Sequence, residues 1–510
     1  MENVITKWSP QQEAFLDWAV NGTGSCVLEA VAGAGKTSVL LKAGELMPGG
    51  VAYVSFNKDI ANSTKVKLKE RDIDWKKMQA GTAHSYSLAA FKKLVPNARV
   101  DGDKMRNLID EYVADDAVLQ PFKGNILQLV SLAKQNIFGI GNSFDKDVSA
   151  WMAMADHHDL FNDEDRPPPV ARIIAAAQHV LAKSSENLDV IDFDDMIYLA
   201  LLHKAPFWKH DVVMIDEAQD TNAARRAMVR AMVKKGGRVI AVGDPRQAIY
   251  GFTGADANAL DLIAQDFNCI RMPLTVSYRC PQAVVKFAQK WVSHIEATTE
   301  APEGSVSEIT LDDFVKRNDL NKSSAVLSRT NAPLVKLAFN LIRRRIPCRI
   351  EGRDIGNSIK KLMQRWKVTD LDGLEDRLDA HFEKETTKLL AAKKEVQLAS
   401  LEDSICTIKV ILDQCRKEGK HTVADAVAHV DSIFGENVNN VMVLSSIHKA
   451  KGREWSNVFW LDRQGTCPNK WARQEWQMGQ ENNLCYVAST RAMENLIEIL
   501  KPKDGIVSSA

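Results

Sequence analysis

Apolar positions in the chain follow two rhythms. Short continuous runs occur at CVLEA (26–30), VAYVSF (51–56), DVVMID (211–216), RVIAVGD (238–244), SAVLSR (324–329), VMVLSS (441–446), NVFWL (457–461) and LIEIL (496–500). Between them lie longer stretches whose apolar residues are spaced by three or four positions. The first rhythm predicts buried strands and the second amphipathic helices. Their alternation predicts an α/β fold with parallel strands. The runs form an early and a late group, which predicts two sheets.

Two regions lack such runs. Residues 92–187 read as helical through NLIDEYVADDAVLQ, GNILQLVSLAKQ and VARIIAAAQHVLAK, with a turn at DRPPP (165–169). Residues 368–438 also read as helical. Charged residues there stand between spaced Leu, Ile and Val. That pattern predicts a solvated helical hairpin over a long coiled coil, because only a few heptads fit.

Composition narrows the class. The chain has 510 residues, 45% hydrophobic and 26% charged, the balance of a globular protein of about two to four domains. No apolar run reaches the ~18 residues of a membrane span. The start, MENVITKWSPQQ, lacks a basic region followed by an apolar stretch, so no signal peptide is expected. The eight cysteines form no C-x-x-C pair, which argues against zinc and fits a reduced, cytoplasmic setting. Lys plus Arg equals Asp plus Glu, at 66 each, so any phosphate-binding surface must be local. Residues 343–367 hold nine Lys or Arg and two Asp or Glu, and read either as a phosphate track or as a solvated helix end.

The sharpest chemistry sits in LEAVAGAGKTSVL (28–40). A strand, a glycine turn and a helix follow one another there. Backbone N–H groups of Ala32, Gly33, Ala34, Gly35, Lys36 and Thr37 are placed to wrap a phosphate at a helix N-terminus. Lys36 would meet the β- and γ-phosphates, and the Thr37 hydroxyl would ligate Mg²⁺. The first position of the loop is Ala30, where the pattern asks for Gly. A second strand ends in Asp216-Glu217. Asp216 there would hold Mg²⁺, and Glu217 would act as general base on the attacking water. A third strand runs into AVGDPRQAIYGFTGAD (241–256). Gln247 follows a Gly-Asp strand end, as a γ-phosphate sensor would, and Tyr250 and Phe252 put two aromatics just beyond it.

This combination resembles the superfamily 1 helicases of the UvrD/Rep/PcrA type, and the resemblance runs nearly end to end. WSPQQEAF looks like the family's N-terminal glutamine motif, which reads the adenine edge; Gln12 fits the spacing and Gln11 is the alternative. AYVSFNKDIA resembles the first DNA-contact motif, with Phe56, Asn57 and Lys58. GTAHSYS resembles the next, with Thr82, His84 and Ser85. DFDDMI (192–197) is similar to the segment after the family's first helical insertion. LTVSYRCP supplies Tyr278, which stacks on adenine in the family, and Arg279, which reaches the γ-phosphate. VLSRTNA (326–332) resembles the second domain's DNA contact, with Arg329 and Asn331. SSIHKAKGREWSNVFWL (445–461) carries His448 toward DNA, Gly452 in the turn and Glu454 toward the ribose. NNLCYVASTRAMENL (482–496) places Arg491 where the family has its arginine finger.

The resemblance implies two RecA-like P-loop domains with parallel sheets, 1–91 with 188–268, and 269–367 with 439–510. Helical insertions at 92–187 and 368–438 interrupt them. It implies ATP and Mg²⁺ as cofactors, and ATP in a cleft between the domains that Arg279 and Arg491 complete on closure. It implies an ATP-dependent DNA helicase or single-stranded DNA translocase. Partners would be single-stranded DNA and junctions of single and double strand, with bases stacked on Phe56, Tyr250 and Phe252. The paired aromatics are a feature of the branch that moves 3′ to 5′. Four departures stand out: Ser38 in place of a frequent Arg, Pro245 and Arg246 before the glutamine, Phe252-Thr253 where Trp-Arg is common, and a short second insertion. Two rivals stay open, and the last departure motivates the first of them. One is a translocase that does not unwind, or the ATPase subunit of a nuclease or defence complex. The other is an ATP-gated DNA-binding switch.

Overall fold

A computed structural model of the chain describes residues 7–55, 58–158, 160–161, 169–249, 258–317, 319–344, 346–351, 353–391, 395–434, 441–469, 472 and 475–500. They divide into two compact units, 1–275 and 276–510. Each is built on a six-stranded sheet.

In the first unit the strands are β1 (Ser25–Ala30), β2 (Val51–Ser55), β3 (Met78–Thr82), β4 (His210–Ile215), β5 (Val233–Gly243) and β6 (Cys269–Leu274). Their order is β3-β2-β4-β5-β1-β6, and every neighbouring pair is parallel. All five residues of β2 are buried. A parallel sheet covered on both faces needs such continuous apolar strands. Residues 269–274, expected to open the second domain, instead form β6 beside β1.

The first helical region contains helices Lys104–Tyr112, Lys123–Gln135, Val148–His157 and Val170–Glu186. Ile126, Val130, Trp151, Ile173 and Val180 share one core with Phe91, Tyr198 and Leu199 from the flanking helices. Of the expected DRPPP turn only Pro169 is among the described residues. A buried charged cluster ties this region to the 192–195 segment. Lys134 Nζ lies 2.8 Å from Asp192 and 2.7 Å from Asp195, and Lys104 Nζ lies 2.6 Å from Asp195. Burial alone would favour neutral Lys134, but the two carboxylates outweigh it and hold its pKa above the ordinary lysine value.

The second unit holds β7 (Ser305–Thr310), β8 (Ser324–Ser328), β9 (Cys348–Ile350), β10 (Met442–Ser446), β11 (Trp455–Leu461) and β12 (Ala492–Leu500). Their order is β7-β12-β11-β8-β10-β9, again all parallel. The second helical region pairs Leu371–Ala391 with Glu395–Lys417 and adds Val423–Phe434. The expected solvated hairpin is corrected on one point. Leu374, Leu378, Ile405, Ile408, Leu412 and Val430 join the same core as Val326, Leu334 and Leu444. The spaced apolar residues form a stripe that is buried, and the mostly charged or polar positions between them face water. No helix among the described residues is long and apolar enough to cross a membrane.

Candidate functional site

Parallel strands deliver their C-terminal loops to one edge of a sheet, which is where α/β sheets bind ligands. In the first unit that edge carries the loops after β1, β4 and β5. The loop after β1 turns through Gly33 and Gly35, with φ of 75° and 73°. Both values lie in the left-handed region that glycine adopts at little cost. Gly35 is the N-cap of helix Lys36–Leu46.

The expected residues converge here. Lys36 Nζ lies 3.1 Å from Glu217 Oε1. Burial alone would lower the Lys36 pKa, but Glu217, Asp244 and Asp216 outweigh it and raise it above the usual value. Asp216 directly follows β4, and its Oδ1 accepts from the Glu217 backbone N–H at 2.9 Å. Its Oδ2 stands 3.4 Å from Thr37 Oγ1. Burial, reinforced by Glu217, pushes the Asp216 carboxyl up. Two hard oxygens this close, one on a buried carboxylate that lacks full charge compensation, suit a small divalent cation. Glu217 holds its place with φ 53°, an uncommon conformation for a residue with a side chain. Gln247 is buried and donates to Asp244 Oδ2 at 2.7 Å.

Gln12 reaches the same loop. Ser9 and Gln12 form a capping box at the start of helix Pro10–Asn21. The Gln12 amide nitrogen donates to the Ala34 carbonyl at 3.1 Å. Its side chain is 1% exposed, so in this structure it braces the phosphate loop and presents no edge outward. Gln11, the alternative, instead accepts from the Thr275 backbone N–H at 2.7 Å.

The neighbouring strand ends carry the expected DNA contacts. Lys58 is exposed at the start of helix Lys58–Glu70 after β2. Thr82 ends β3 and caps helix Ala83–Phe91 by accepting from the Ser85 N–H at 3.1 Å. Burial, with Arg225 nearby, lowers the His84 pKa to about 4. Phe56, Asn57, Tyr250 and Phe252 lie outside the described residues. A cleft of 680 Å³ beside Trp75 and Lys65 contains none of the site residues; it flanks the opposite, N-terminal end of β3.

In the second unit, Arg279, Glu454 and Arg491 come together. The Arg279 Nε donates to Glu454, and its Nη1 lies 3.4 Å from the Thr490 carbonyl. Arg491 is 1% exposed. Its guanidinium donates to the carbonyls of Val487 at 3.0 Å and Arg453 at 3.2 Å. Tyr278 is half-buried beside Arg279. Gly452 has φ 83°. Arg329 and Asn331 are engaged elsewhere in the unit. Arg329 donates to both oxygens of Glu481 at 2.7 to 3.1 Å. The Asn331 side chain and the N–H groups of Asn331 and Ala332 all donate to Asp403, at the N-terminus of helix Ala332–Arg343. His448 has its pKa lowered to about 3, by burial first and then by Arg329 and Lys451. In the basic segment, Arg349 pairs with Glu351 and Lys360 with Asp431.

Several participants were not anticipated. Asp244 adds a third carboxylate near Lys36. Gln219 links two strand ends, donating to Glu217 and accepting from the Asp244 N–H at 3.0 Å. Tyr53 donates to Asp216 at 2.5 Å. The GDPRQ segment held the only signal for Asp244; nothing local marks Asp403 or Glu481 as partners of residues more than 70 positions away.

A glycine-turned loop, paired strand-end acids and a buried glutamine thus share one edge of a parallel sheet. Residues 8–268 match the UvrD/REP helicase N-terminal domain, and residues 374–502 match the UvrD-like helicase C-terminal domain. The chain belongs to the UvrD/REP helicase family. It is 24% identical over 404 residues to the ATP-dependent DNA helicase Rep of Escherichia coli (strain K12), covering 68% of this chain and 55% of that protein. It is 22% identical over 397 residues to the ATP-dependent DNA helicase PcrA of Staphylococcus aureus (strain Mu50), covering 68% and 51%. To DNA helicase IV of Escherichia coli (strain K12) it is 25% identical over 346 residues, covering 59% and 49%. The chain spans about half the length of the relatives it matches.

Proposed function

We propose that the chain is an ATP-dependent DNA motor that moves 3′ to 5′ along a single strand and unwinds duplex from a junction. The assembly of Lys36, Thr37, Asp216, Glu217 and Gln247 on one sheet edge carries this reading. ATP binds with its phosphates on the 32–37 loop, and Lys36 meets the β- and γ-phosphates. Thr37 and Asp216 would hold Mg²⁺, which would supply neutralisation of phosphate charge. Glu217 takes the proton of the attacking water, and Gln247 senses the γ-phosphate. Arg279 and Arg491 stabilise the charge that develops on it. Tyr278 stacks on adenine, with Gln12 supporting the loop beneath, and Glu454 serves the ribose. The DNA contacts are assigned to Lys58, Thr82, His84, Ser85, Arg329, Asn331 and His448, together with Phe56, Asn57, Tyr250 and Phe252.

The test is ATP hydrolysis with and without single-stranded DNA, followed by unwinding of duplexes with a 3′ or a 5′ tail. DNA-stimulated hydrolysis with unwinding from the 3′ tail is expected. Unwinding only from the 5′ tail would overturn the polarity, and absence of hydrolysis would overturn the whole reading. One observation favours a second reading. The short second helical region is committed to the core of its own unit, which suits a translocase, alone or as the ATPase of a larger complex. DNA-stimulated hydrolysis without unwinding selects it. ATP-dependent DNA binding without sustained turnover selects a switch.

A further inference from the structure

Tyr53 stands in the middle of β2 and is fully buried. A phenol inside a sheet needs a polar partner, because an unpaired buried hydroxyl is costly. In register Tyr53 sits opposite Met214, two residues before the acid pair. Its hydroxyl donates to Asp216 Oδ2, the oxygen that Thr37 also faces. The other carboxylate oxygen accepts the Glu217 N–H. Both Asp216 oxygens are therefore fixed.

We propose that Tyr53 is a positioning residue for the divalent cation: its hydroxyl fixes the Asp216 carboxylate in the orientation that metal bound with the nucleotide requires. This rests on the ATP-binding reading above. Thr37 is partly exposed whereas Tyr53 is not. The Thr37 hydroxyl, on the open side of Asp216 Oδ2, would serve as the cation's second protein ligand. Tyr53 keeps its bond from beneath and holds the carboxylate still. Without the phenol, a buried charged oxygen loses a donor and the carboxylate gains rotational freedom. Groups that orient metal ligands in this way tune metal affinity.

Tyr53→Phe removes only the hydroxyl. The measurement is binding of a fluorescent ADP analogue by the full chain, first in EDTA and then across a Mg²⁺ titration. The Mg²⁺ concentration at half-effect is expected to rise about tenfold, while ADP affinity in EDTA stays at the wild-type value and unfolding stays cooperative at a somewhat lower temperature. Tyr53→Met, which fills the space with a flexible apolar side chain, repeats the test should the phenylalanine variant fold poorly. An unchanged Mg²⁺ midpoint overturns the proposal. So does equal loss of ADP binding with and without Mg²⁺, which marks Tyr53 as a packing residue. Wild-type protein that binds no ADP at all would instead overturn the nucleotide reading.

Discussion

The two units present their candidate catalytic groups in opposite conditions. In the first, Lys36, Asp216, Glu217, Asp244 and Gln247 already face one another. The cluster is rich in carboxylate, with one buried ammonium among three acids. On the proposed reading, the nucleotide's divalent cation would balance this excess of acid. In the second, the guanidiniums are satisfied by their own surroundings, Arg279 by Glu454 and Arg491 by backbone carbonyls. The second unit holds each arginine in hydrogen bonds of its own. On the proposed reading those bonds must be given up before the arginines act, whereas the first unit's groups already face one another.

Breaking the two halves separately tests this contrast. Lys36→Ala is expected to abolish ATP hydrolysis while DNA binding persists; retained hydrolysis would remove the phosphate-loop assignment. Arg491→Ala is expected to lower kcat by about 10³-fold or more with ADP binding intact. A loss below tenfold would leave Arg491 as a clamp on the Val487 and Arg453 carbonyls. Glu454→Ala frees Arg279, and about a tenfold fall in kcat/KM for ATP is expected, mostly in kcat. A change in KM alone would confine Glu454 to nucleotide binding.

The smallest effect concerns one histidine in each unit. His84 and His448 have their pKa values lowered to about 4 and about 3, in both cases chiefly by burial. Both are neutral in the fold, whereas the unfolded chain takes up a proton near the usual histidine value. Stability is therefore fully present above about pH 6.5 and falls as the pH drops toward 4. Replacing either by Gln should flatten the pH dependence of denaturant unfolding by up to about one proton. An unchanged slope would mean that the ring is already accessible to protons in the fold.

The two sheets agree in which of their strands were legible in the sequence. All eight expected strands are interior: β1, β2, β4 and β5 in one sheet, β8, β10, β11 and β12 in the other. Within these two sheets the strands not anticipated, β3, β6, β7 and β9, are the four edges. An interior parallel strand is buried on both faces and leaves a continuous apolar run. An edge strand such as SVSEIT does not, and β9 is three residues long. The phosphate loop and acid pair were legible because their chemistry is local to one strand end each. Asp403 on Asn331 and Glu481 on Arg329 were not, since only tertiary packing joins them. Tyr53 read as one more apolar strand residue, and its hydroxyl gained meaning only across the sheet.

Those obscure edges have a consequence for solubility. An unpaired strand edge is a template on which another chain can assemble. Here β6 carries Arg271, paired with Glu29 and Asp261, and includes Pro273, which has no N–H to offer. In β7, Ser307 and Glu308 are exposed. The features that hide these strands from a hydrophobicity pattern are also those that discourage copies of the chain from joining sheet to sheet.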